Sequence, residues 1–214
     1  MSVVIFDLDG VLVDSRAAIS GAMNRALGAN GFPQRPAEEL YLFIGPPLAL
    51  GFAELTGRPA DSAAVVACVL TYRERYAMTS LTETVVFPGI VEALDGLSRH
   101  HRLAVATSKA LALAEPLLAA LGLRARFDVV AGPDLGAQAE AKATTIRAAL
   151  DALGTERGVM VGDRSFDLVG ARANGLAAIG VTWGIGSAEE LADADAIADR
   201  PAELPAIVDE LLRG

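Results

Sequence analysis

Six short apolar runs, none alternating with polar residues, constrain this chain more than any other feature of its sequence. They are VVIF (3–6), RLAVAT (102–107), FDVVAG (127–132), GVMVGD (158–163), LAAIGVT (176–182) and the weaker ADAIA (194–198). A strand with one wet face alternates, whereas a continuous apolar run predicts a strand buried on both faces. Between most of these runs lie segments at helical spacing. In EPLLAALG, for example, Leu117, Leu118 and Leu121 share one face and Gly122 supplies a stop. Strand and helix in alternation imply crossover units, and therefore an α/β fold: a doubly wound parallel sheet with helices on both sides.

One interval breaks the rhythm. From about Ser15 to about Thr82 no segment reads as a strand. SRAAISGAMNRALGANG places Ala18, Ile19, Ala22, Met23, Ala26 and Leu27 on one helical stripe, with Ser15 as the expected N-cap. RPAEELYLFIG and PPLALGFAELTG each begin at a proline and stop at a glycine, and PADSAAVVACVLTYRERYAM supplies a longer fourth helix. The expected organisation is a core domain formed by 1–14 and 83–214, with a small all-helical domain, 15–82, inserted after the first strand.

Composition narrows what such a chain does. A net charge of −9 argues against affinity for a nucleic acid polymer, which needs clustered basic residues. No apolar run approaches the roughly 20 residues of a bilayer span, and the N-terminus lacks a secretory pattern. The single Cys68 suits a reducing compartment, so a cytoplasmic location is expected. His100 and His101 stand together at the polar end of a predicted helix and read as solvated. Sixteen arginines accompany only two lysines, Lys109 and Lys142, which makes those two worth following.

The first strand ends in two acids, Asp7 and Asp9, and residues two apart on an extended segment point the same way. In an open parallel sheet, ligands bind beyond the carboxyl ends of the strands. Thr107, Ser108 and Lys109 end a second strand in AVATSK; Asp163 ends a third in MVGDRSFD, with Asp167 four residues on. Lys142 opens the helix before that third strand. Two like charges about 4 Å apart repel by on the order of 4 kcal/mol at an effective dielectric near 20. Several carboxylates in one crevice therefore require a cation. Oxygen donors without His or Cys suit Mg²⁺ better than Zn²⁺, and a phosphate ligand would share the ion.

The motifs DLDGVLVDS, VATSK, Lys142 in EAKATTI, and VGDRSFDLVGARANG stand in an order that resembles the haloacid dehalogenase-like hydrolase superfamily, within it the phosphoglycolate phosphatase-like group. The resemblance covers essentially the whole chain, the helical insert matching the group's small cap. It implies a Mg²⁺-dependent phosphomonoester hydrolase acting on a small phosphorylated metabolite, phosphoglycolate being the first candidate. Asp7 would be the nucleophile and Asp9 the acid and base, with metal ligands from Asp7, the Asp9 carbonyl and Asp163. Thr107, Ser108 and Lys109 would contact the phosphoryl group or substrate. Lys142 would orient Asp7 and stabilise charge, and Asp167 would sit behind them, holding Lys142 or a metal-bound water. The loop FIGPPLAL, with Gly45, would close over the site and touch the substrate. Ala143 stands where many relatives have proline. Members that remove halide lack the second acid; its presence here as Asp9 disfavours dehalogenation. A sugar-phosphate mutase of the same superfamily is the enzymatic alternative. A phospho-Asp receiver domain is the alternative of another class, although such a domain has no helical insert.

Overall fold

The computed structural model of the protein describes residues 2–134 and 141–213, which divide into two compact units, 1–14 with 86–214 and 15–85. The larger unit is built on six strands: β1 (Val3–Phe6), β2 (Arg102–Ala106), β3 (Val129–Ala131), β4 (Gly158–Gly162), β5 (Ala177–Val181) and β6 (Ala196–Ala198). Each coincides with one of the six apolar runs. They form one sheet in the order β3-β2-β1-β4-β5-β6, with every neighbouring pair parallel. This is the doubly wound order of a Rossmann-like sheet, and its direction reverses between β1 and β4.

The absence of alternation has its explanation in two apolar clusters, one on each face. Val4 and Phe6 join a cluster with residues of three helices, α5 (Ile90–Leu97), α6 (Leu111–Ala120) and α9 (Leu204–Arg213). Val3 and Ile5 join the other, with α7 (Lys142–Leu153) and α8 (Ser165–Ala173). Phe6 is in register with Val105 and with Val161. The residues just past these positions therefore emerge together at one edge of the sheet.

The smaller unit is helical: α1 (Arg16–Ala29), α2 (Ala37–Leu40), α3 (Leu48–Thr56) and α4 (Ala63–Glu83). The expected stripe of α1, from Ala18 to Leu27, is buried, and α1 packs along α4. Phe52, Tyr72 and Tyr76 form an aromatic column, the two tyrosines stacked at 5.6 Å and Phe52 edge-on to Tyr72 at 6.2 Å. Cys68 is fully buried, its thiol facing the Ala26 carbonyl of α1. Three expectations need correction. The second helix is a single α turn that tightens into a 3₁₀ turn over 41–43, because Pro46 and Pro47, following Gly45 at φ 105°, cannot continue it. Ser15 occupies the N-cap of α1, but its hydroxyl is buried and makes no hydrogen bond among the described residues. α4 runs on through Glu83, so the units divide after Val85 rather than after Thr82. No helix among the described residues is long and apolar enough to cross a membrane.

Candidate active site

Asp7 follows β1 directly, with its amide still bonded to the Val161 carbonyl of β4. Its Oδ1 accepts the Leu8 amide at 2.7 Å and lies 2.8 Å from the Lys142 Nζ. Lys142 opens α7, and the same ammonium lies 2.8 Å from Asp167 Oδ1. Asp163 follows β4; its Oδ2 accepts the Ile185 amide at 2.7 Å, while its Oδ1 is buried without a donor among the described residues. Asp167 stands in the first turn of α8 and accepts the Arg164 amide at 3.2 Å. Oxygens of Asp7, Asp163 and Asp167 lie within 4.8 Å of one another. Gly10 turns the chain back at φ 87°, and a β-carbon there would meet Asp163 Oδ2 at 2.2 Å; only glycine fits beside the acid.

Three carboxylates gather beside one ammonium, which pairs with Asp7 and Asp167, and the acidity of Asp7 and Asp163 records the strain. Burial, reinforced by the Asp167 and Asp9 charges and only partly offset by Lys142, raises Asp7 to about 6. Burial, then the charges of Asp167 and Asp7, raises Asp163 to about 8. For Lys142, burial works to lower the pKa, but the two carboxylates outweigh it and hold the ammonium above its ordinary value. The bare cluster thus carries more negative charge than it can stabilise. The uncompensated Asp163 oxygen and the all-oxygen donor set fit a hard divalent cation such as Mg²⁺.

Asp9 takes a separate partner. Its carboxylate lies 2.7 Å from the Lys109 Nζ, and this pair is largely shielded from solvent. Each acid of the D-x-D stretch therefore has one of the chain's two lysines, a division of labour that spacing alone did not indicate. Thr107, past the end of β2, is buried, and its hydroxyl accepts the Lys109 amide at 3.1 Å; Ser108 is exposed. Neither caps the next helix, whose N-cap is Ala110. Gly45 belongs to the helical unit. One expectation changes. His101 is not a solvated helix end: it is buried, bonded to Ser2 Oγ at 2.8 Å and to Asp209 at 3.3 Å. A second feature has no sequence signal: the Ile185 amide holds Asp163, and a backbone donor leaves no mark on residue identity.

The family model of haloacid dehalogenase-like hydrolases matches residues 4–181. A 5′-nucleotidase of Pseudomonas aeruginosa is 40% identical over 191 residues, 88% of this chain and 86% of that one. A phosphoglycolate phosphatase of Caulobacter vibrioides is 35% identical, with 85% of this chain and 79% of that one covered. Among solved structures, a predicted phosphatase from Clostridium acetobutylicum superposes with a TM-score of 0.91 at 32% identity, covering 98% of this chain and 99% of that one. The chain belongs to the haloacid dehalogenase-like hydrolase family.

Proposed function

We infer that this phosphatase is a Mg²⁺-dependent phosphomonoester hydrolase that works through a phosphorylated Asp7. The observation that carries the reading is the convergence of Asp7, Asp163 and Asp167 within 4.8 Å of one another, with one buried ammonium paired to Asp7 and Asp167 and a surplus of negative charge. Asp7, the Asp9 carbonyl and Asp163 would hold the ion. When bound, it would supply the positive charge that a phosphoryl group needs beside three acids.

The chain's own residues do the rest. A carboxylate oxygen of Asp7 attacks phosphorus as the ester P–O bond breaks, and Asp9 gives a proton to the departing alkoxide. Asp9 then takes a proton from water, the water oxygen attacks phosphorus, and the P–O bond to Asp7 breaks. Inorganic phosphate leaves and the Asp7 carboxylate is restored. Splitting the displacement this way lets one carboxylate serve as nucleophile and leaving group in turn. Lys142 aims Asp7 and stabilises the charge that builds on the phosphoryl oxygens, while Lys109 orients Asp9. Thr107 and Ser108 offer hydroxyls to the phosphoryl oxygens. The substrate is a small phosphate ester. Relatives named for phosphoglycolate and for nucleotides make phosphoglycolate and nucleoside monophosphates the first compounds to try.

The test is a phosphate-release assay over phosphoglycolate, nucleoside monophosphates and sugar phosphates, with Mg²⁺ and with a chelator. Acid-quenched turnover would also be analysed by peptide mass spectrometry. Release that stops with the chelator, and a phosphoryl adduct on the peptide containing Asp7, are expected. Undiminished release in the chelator, or an adduct elsewhere, overturns the reading. Isomerised sugar phosphate without free phosphate would favour the mutase.

A further inference from the structure

The segment Trp183–Glu190 follows β5 and has no role in the chemistry above, yet it is fastened to both acid-bearing loops. At its start, the Trp183 indole donates to the Val11 carbonyl at 3.0 Å, in the loop that follows Asp9. In its middle, the Ile185 amide donates to Asp163 Oδ2, and the flanking glycines lie against the same residue. A β-carbon on Gly184 would stand 2.4 Å from Asp163 Oδ2, and one on Gly186 would stand 1.7 Å from the Asp163 carbonyl oxygen. Gly184 and Gly186 are thus required by the close approach of this segment to Asp163. At its end, the Glu190 carboxylate accepts Arg164 Nε at 2.8 Å, and both the Ser165 amide and hydroxyl at 3.3 Å.

These fastenings matter because the acids they hold repel one another. Three carboxylates within 4.8 Å of one another, with one ammonium paired to two of them, would relieve their repulsion by spreading apart, and the backbone resists this before a cation arrives. Arg164 and Ser165 lie between Asp163 and Asp167 in the chain, so a carboxylate that grips them fixes the spacing of both acids. The grip continues inward, because the Arg164 amide also donates to Asp167, whose other oxygen meets Lys142. Glu190 adds an acid near the cluster without adding net charge to it, since Arg164 neutralises it. Its place beside the first turn of α8 also suits the positive end of that helix.

We propose that Trp183–Glu190 is a strap that sets the positions of Asp163 and Asp167, and that Glu190 is its positioning residue, acting through Arg164 and Ser165 and touching neither substrate nor metal. The proposal rests on reading Asp163 as a ligand of the metal and Asp167 as the acid that holds Lys142 beside it. Partners at this remove from a metal commonly govern roughly 10- to 100-fold in its affinity or in activity.

The experiment uses the full chain and the variants Glu190→Ala and Glu190→Gln. Hydrogen–deuterium exchange, run without metal, reads the amides of 163–167 and 184–186. Mn²⁺ titration followed by electron paramagnetic resonance reads the site itself. Glu190→Ala should speed exchange of those two segments by about tenfold, leave the 16–83 helices unchanged, and weaken Mn²⁺ binding by roughly 10-fold or more. It should lower kcat more than it raises KM. Glu190→Gln, which keeps an acceptor oxygen for Ser165, should fall between; should Glu190→Ala not fold, this variant decides alone. Unchanged exchange in 163–167 overturns the strap. A wild-type protein that binds no Mn²⁺ would defeat the metal reading instead, and the metal-free exchange would still judge the strap.

Discussion

The two units of this protein bury different things. Among the described residues, the helical unit buries apolar side chains and hydroxyls, its buried polar set being Ser15, Ser20, Thr79, Ser80 and Thr84. The sheet-based unit buries Lys142, Asp163 and Asp167 at one edge of its sheet. Burying charge costs several kcal/mol per ion before its partners offset the penalty. A fold that accepts this cost at adjoining strand ends has concentrated its chemistry there. The helical unit instead leaves Leu42, Leu50, Leu70 and Met78 more than half exposed. Stability in one unit comes from packing; in the other, part of it is given up to hold acids together.

The contrast is broken most directly at Asp7. Asp7→Asn removes the proposed nucleophile and one of three repelling charges. Turnover should fall by at least roughly 10⁴-fold on every substrate, as loss of a nucleophile does elsewhere, while the melting temperature should not drop. A variant that keeps substantial turnover sinks the covalent route. Lys142→Met acts on both sides of the comparison. It should lower kcat by about 10²–10³-fold, the cost of losing one charge-stabilising donor. It should also destabilise the protein by about 3–5 kcal/mol, because two buried carboxylates lose their shared cation. Chemical denaturation beside steady-state kinetics would show both effects, and a variant of normal stability would mean that the ammonium is not the buried counter-ion. In the helical unit Phe52→Ala should cost a similar 3–5 kcal/mol by leaving a cavity. Below its melting temperature, however, the reaction of an aryl phosphate that makes few demands on binding should be nearly spared. Loss of that reaction in the folded variant would erase the distinction between the units.

The same contrast explains what could be read in advance. The sheet was legible because strands buried on both faces must be apolar throughout, as VVIF and GVMVG are. The acids were legible because charge at the end of such a strand is too costly to be accidental. Pairings between charges were less so: that Lys109 meets Asp9 while Lys142 bridges Asp7 and Asp167 depends on backbone turns around Gly10 and Ala110, not on residue type. His101 was misread because helix-end polarity resembles solvation, although its partners, Ser2 and Asp209, lie 99 and 108 residues away. Glu190 gave no signal at all. An acid in SAEEL looks like a solvated surface residue until Arg164 is placed beside it.

The smallest predicted effect is a change of stability with pH, and it tests whether the acids are held together against their repulsion. In the metal-free protein Asp7 sits at about 6 and Asp163 at about 8, both raised from an ordinary 3.8, chiefly by burial. Between those limits the folded state holds protons that the unfolded chain releases, so raising the pH favours unfolding. The stability these groups contribute is complete below about pH 4 and is lost as the pH rises through 6 and then 8. Metal-free protein should therefore melt lower at pH 8 than at pH 5. Mg²⁺ binds the ionised acids and must displace protons at pH 5, so the rise in melting temperature it produces should be larger at pH 8. Asp163→Asn should flatten the metal-free pH dependence above about pH 6, leaving the part due to Asp7, and remove most of the Mg²⁺ shift. Asp9→Asn should leave the metal-free slope in place, because Asp9 is paired with Lys109 outside the trio. A Mg²⁺ shift equal at both pH values, or a slope above about pH 6 that survives Asp163→Asn, would mean that the surplus charge is relieved by some route other than a cation at this cluster.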